Sequence, residues 1–73
     1  MKKRYWRIDV PMCDHGYSFA IACDCETSED AIETARKNNL FEEDFDSIYA
    51  SADDITDDDY EMSYWSDHAT VIE

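Results

Sequence analysis

Apolar and polar residues alternate near the start of the chain, where Arg7 and Asp9 separate Trp6, Ile8 and Val10. A period of two turns one set toward a core and the other toward water, the pattern of a half-buried strand over 5–11. Pro11 lacks an amide hydrogen and limits pairing at the strand end. The single glycine falls in Asp14-His15-Gly16, where a turn is expected. Alternation resumes over 17–25, with Tyr17, Phe19, Ile21, Cys23 and Cys25 on one face and the small Ala20 and Ala22 on the other. The two strands are expected to form a hairpin.

The period then lengthens. Thr27 can cap a helix, with Asp30 at the third position after it. Glu29, Asp30 and Glu33 suit a positive helix N-terminus, and Arg36 and Lys37 suit its C-terminus. Ala31, Ile32 and Ala35 make a narrow apolar stripe, so a helix over 28–39 is expected to cover the hairpin's apolar face. Asn38-Asn39 can end it through a left-handed cap. Leu40, Phe41 and Phe45 are expected to anchor to the core, and Ile48-Tyr49 reads as a short strand or one helical turn. Residues 53–59 read as an acidic loop around Ile55. Alternation over 60–65 suggests a strand with Tyr60, Met62 and Tyr64 inward and Glu61, Ser63 and Trp65 outward. A turn at Asp67-His68 and a last strand over 69–72 complete the chain. The expected architecture is a single α+β domain over 1–73. It has a small antiparallel sheet of about four strands, in ββαββ order, with one helix packed on a face.

Charge changes this picture more than composition does. Hydrophobic residues make up 44% and ten residues are aromatic, which separates the chain from disordered acidic tails. Yet the net charge is −13, a self-repulsion that lowers folding stability. Phosphate repels such a surface, so nucleic acid and anionic membrane are excluded as direct partners. No apolar stretch approaches the roughly 20 residues of a membrane span, and Arg7 and Asp9 interrupt any secretory h-region. Three cysteines are an odd number and make no disulfide framework, so reduced thiols in a cytoplasm are expected.

The charges are also one-sided. All six cations lie at Lys2, Lys3, Arg4, Arg7, Arg36 and Lys37, while residues 38–73 hold twelve acids and no Lys or Arg. One reading is a solvated face that keeps a small protein soluble. The other is a binding surface for a basic protein. Alternate residues of a strand lie about 6.8 Å apart on one face, a spacing close to that of phosphates along a nucleic-acid strand. Rows of carboxylates could then occupy sites that normally hold DNA. The expected partner-binding residues are Asp44, Asp46, Asp53, Asp54, Asp57, Asp58, Asp59, Glu61 and Asp67, with Trp65 facing outward to stack on a partner arginine. A monomer or weak homodimer is expected.

Other chemistry is poorly supported. Cys13, His15, Cys23 and Cys25 invite zinc, but C-x-C is not a usual structural spacing. A hairpin turning near Gly16 also carries Cys23 and Cys25 roughly 20 Å from Cys13. The acids of 53–61 lack the glycine of a calcium-binding loop. Nothing lowers a thiol pKa as a cysteine nucleophile requires. The expectation is therefore no catalytic group, no metal and no cofactor. The alternatives are a small structural or regulatory domain without DNA mimicry and a cysteine-based metal-binding domain.

In its size, its acidity, its ββαββ-like pattern and its lack of a catalytic motif, the chain resembles the small acidic phage-encoded inhibitor proteins. These include anti-CRISPR proteins that act as DNA mimics. The resemblance covers the whole chain at the level of class and transfers no residue. It implies a phage or mobile-element origin and the cytoplasm of a bacterial host. As partner it implies a basic nucleic-acid-binding protein such as a CRISPR effector subunit.

Overall fold

The structure, a computed structural model, describes residues 3–11, 16–41 and 49–72. Strand β1 (Arg4–Val10) pairs antiparallel with β2 (Tyr17–Cys23), Ile8 opposite Phe19 and Trp6 opposite Ile21. This is the expected hairpin. Its inward set, Trp6, Ile8, Val10 and Ile21, is almost wholly buried, because alternation puts these side chains on the face that the first helix covers.

That helix, α1 (Ser28–Lys37), buries Ala31 and Ala35 completely, with Ile32 packed at the edge of the same cluster. Alanines bring the helix axis close to the sheet. Thr27 caps it as expected, its Oγ1 accepting from the Asp30 amide at 3.1 Å. At the other end Asn39 adopts φ 57°, the left-handed conformation that asparagine tolerates. The Leu40 amide then donates to Ala35 O and the Asn39 amide to Arg36 O, closing the helix and turning Leu40 onto the core.

Three differences from expectation follow along the chain. Residues 53–54 are not loop: β3 (Ser51–Asp54) pairs antiparallel with the outer edge of β1. Residues 60–65 are not strand: they lie in a second helix, α2 (Asp59–Trp65). The last strand, β4 (Thr70–Val71), runs parallel to β2, giving a mixed sheet in the order β3-β1-β2-β4. The α+β class stands, but the element order is ββαβαβ and the sheet is not purely antiparallel. The geometry explains the second helix. β3 and β4 share a direction and sit at opposite edges, so their connection must cross two strands, which a tight turn cannot do. It crosses on the face opposite α1, above Arg7 of β1. Ala20 and Ala22 point to that face and are buried as well. The expected anchor Phe45 lies outside the described residues.

The cysteines also differ from expectation. Cys23 and Cys25 are joined by a disulfide, with Cα atoms 5.3 Å apart. Two positions apart on a continuing strand they would be about 6.8 Å apart. β2 ends at Cys23, however, and the chain bends through Asp24 toward α1, which brings the sulfurs together. Cys13 and His15 lie outside the described residues. Among the described residues no group of three His, Cys, Asp or Glu could hold a metal ion, and no helix is long and apolar enough to cross a membrane.

Candidate functional site

Helix α2 is locally specified at its start. Asp58 is its N-cap, with Oδ1 accepting from the Glu61 amide at 3.1 Å. Glu61 at the third helical position completes the residue pattern of a capping box. The helix has no buried residue. Glu61, Met62 and Trp65, within one turn of each other, are half-buried toward the sheet. Tyr60 and Tyr64, one turn apart on the outer side, are 83% and 60% exposed. The expected orientation is therefore inverted at four of the six positions: the tyrosines face water while Glu61 and Trp65 are half-buried, and Met62 and Ser63 keep the expected sides. Helical periodicity, not strand alternation, sets which side each residue takes. Tyr64 packs edge-on against the Trp65 ring at 4.8 Å and lies 5.5 Å from the His68 ring.

Polar contacts hold α2 to the sheet. The Arg7 guanidinium donates to Asp9 at 3.1 Å on its own strand, to Asp53 of β3 at 2.8 Å and to Glu61 of α2. Glu61 uses its second oxygen to accept from Trp65 Nε1 at 3.0 Å. Burial opposes the Arg7 charge, but the hydrogen bond and charge of Asp9, followed by the charges of Glu61 and Asp53, outweigh it and raise the pKa. At the neighbouring edge Arg4 donates to Asp54 at 2.6 Å. Burial pushes the Asp54 carboxyl up, but hydrogen bonds from Thr56 and Arg4 more than reverse this, and its pKa falls below the usual aspartate value.

The expected partner-binding residues thus divide. Asp53 and Asp54 are adjacent on an edge strand and point to opposite faces, one to Arg7 and the other to Arg4. Among the described residues these two therefore form no row of carboxylates on one face of a strand. Asp58 caps a helix, and Glu61 and Trp65 bond within the fold. Asp59 and Asp67 are exposed, and Asp57 is 94% exposed, although one oxygen comes within 3.8 Å of Arg4. Asp44 and Asp46 lie outside the described residues. What remains as a surface is the outer side of α2 with its flanking turns: Asp57, Asp59, Tyr60, Tyr64 and Asp67. The tyrosines were not among the expected site residues. Their i, i+4 spacing after an Asp-x-x-Glu cap was the available signal.

Comparison with known proteins finds no matching family model, no matching curated protein and no matching solved structure.

Proposed function

We propose that the chain is a binding protein of the inhibitor type, not an enzyme, and that it lays the outer side of α2 on the basic surface of a nucleic-acid-binding protein. A CRISPR effector subunit is one protein of that kind. A single observation carries the reading: α2 buries no residue, yet it presents Tyr60 and Tyr64 to water beside Asp57, Asp59 and Asp67. Tyrosine is a common anchor at interfaces. Carboxylates around it favour a lysine- or arginine-rich partner and speed encounter. Acidity that served solubility alone would leave the two exposed tyrosines without a role. The competition with DNA rests on charge and shape, not on a strand of carboxylates at phosphate spacing.

The test is competition. Proteins retained from a bacterial lysate at low salt and released by high salt are mixed with labelled duplex DNA and increasing amounts of this chain. The reading expects DNA to be displaced. It also expects Tyr60→Ala with Tyr64→Ala to weaken displacement about tenfold or more, and Glu29→Gln with Asp30→Asn, on α1 across the sheet, to leave it unchanged. DNA that stays bound at saturating chain would overturn the reading.

A further inference from the structure

The disulfide between Cys23 and Cys25 closes a loop over a single intervening residue, Asp24. So short a loop restrains the unfolded chain very little, so the bond contributes little through chain entropy. The surroundings already hold these residues in place. Cys23 pairs with Arg4 in the β1–β2 ladder, and Trp6 Nε1 donates to the Cys25 carbonyl at 3.3 Å. Both half-cystines are nearly buried, at 2% and 6% exposure, but they line a cleft of about 320 Å³. Thr34 of α1 lines the same cleft, with Oγ1 3.2 Å from Cys25 Sγ. Asp24, Asp30, Glu33 and Lys37 also line it, with Arg36 paired to Glu33 and Lys3 Nζ donating to the carbonyl of Ile72, another lining residue.

We propose that Cys23–Cys25 is a reversible thiol–disulfide centre, opened by small neutral or cationic thiols that enter this cleft, with Cys25 as the leaving sulfur. Exchange proceeds by attack of a thiolate on one sulfur and departure of the other. The Thr34 hydroxyl can donate to Cys25 Sγ and stabilise the charge that forms there as the bond breaks. The incoming thiolate attacks Cys23 Sγ, the Cys23–Cys25 bond breaks, and a mixed disulfide forms on Cys23. A second thiol attacks the outer sulfur of that mixed disulfide and releases Cys23. Two external thiols are oxidised to one external disulfide, and their two protons end on Cys23 and Cys25. The net charge of the chain, −13, repels anionic thiols and sets the preferred class of reductant. The reduced protein keeps its fold, because the ladder at Cys23 and the Trp6 bond to Cys25 O do not involve sulfur.

The proposal is independent of the partner-binding reading. It is tested on the full chain carrying Cys13→Ser, which prevents exchange with the third cysteine. After air oxidation, alkylation under native conditions followed by mass analysis should leave Cys23 and Cys25 unmodified, and both should alkylate after thiol treatment with the circular dichroism spectrum retained. At equal thiolate concentration cysteamine should reduce the bond several-fold faster than 3-mercaptopropionate, with the gap narrowing in salt. Thr34→Val should slow reduction several-fold and Thr34→Ser should restore it. Alkylation of both cysteines without reductant, loss of fold on reduction, or equal rates for Thr34→Val and the native chain would each overturn the proposal.

Discussion

Replacing Arg7 by Met tests what holds the second face of the sheet. Methionine keeps most of the aliphatic stem and removes the guanidinium. Three carboxylates from three elements, Asp9, Asp53 and Glu61, lose their common counter-ion and face one another. The Arg7 side chain is 25% exposed and that of Glu61 23%, so the pairs are screened but not fully solvated. At about 0.2–1 kcal/mol per pair, the three together contribute about 0.6–3 kcal/mol. For a domain of this size each kcal/mol moves Tm by about 4–8 °C, so a fall on the order of 10 °C is expected. Thermal melting by circular dichroism at low and at high sodium chloride is the assay. The gap between variant and native protein should shrink in salt, because ions screen both the lost attraction and the new repulsion. Amides of α2 should also exchange with deuterium faster in the variant, while those of α1 should not. A fall of under about 2 °C, or a gap that salt does not narrow, would show that α2 is held by something other than this network.

Core packing sets a second expectation. Ile21 is fully buried, so Ile21→Ala should cost about 2–5 kcal/mol, enough to unfold a marginal domain. Phe19 only packs at the margin, edge-on to Phe41, so Phe19→Ala should cost less in the same urea titration; the reverse order would place the core elsewhere. A third expectation concerns acid. Asp54 has a depressed pKa in the fold, so the stability it contributes is present above the ordinary aspartate pKa of about 3.9 and is lost as pH falls through the lower folded value. The native chain should therefore melt above Asp54→Asn near neutral pH, and the gap should begin to narrow as pH falls below about 4 and close below the folded value; a gap that does not narrow on acidification would assign the difference to something other than ionisation.

The first half of the fold was legible because each element buries one face and its period shows it. Trp6, Ile8 and Val10 need a strand, and Ala31 and Ala35 need a helix one turn apart. Thr27 and Asn39 mark the helix ends through local hydrogen bonding and backbone geometry alone. Over 60–65 the periods conflict. Tyr60, Met62 and Tyr64 fit alternation, while Tyr60 and Tyr64 also fit one helical turn, and six residues are too few to decide between them. The cap at Asp58 and Glu61 favours the helix. So does the pairing of small Ala20 and Ala22 on a face that would otherwise be polar, since small residues there leave room for something to cross it.

The sequence by itself determined the class, the hairpin, the covering helix and the surplus of carboxylates, because propensity, capping and periodicity act within a few residues. Only the tertiary structure decided how those carboxylates are used. Arg7 meets Asp53 and Glu61 across separations of 46 and 54 residues, and Arg4 meets Asp54 across 50. No local rule links residues so far apart. The fold spends its β1 cations mainly on Asp53, Asp54 and Glu61, with Arg4 also within 3.8 Å of Asp57, leaving Asp59 and Asp67 beside two exposed tyrosines, because strand pairing places β3 next to β1 and the crossover to β4 carries α2 over Arg7.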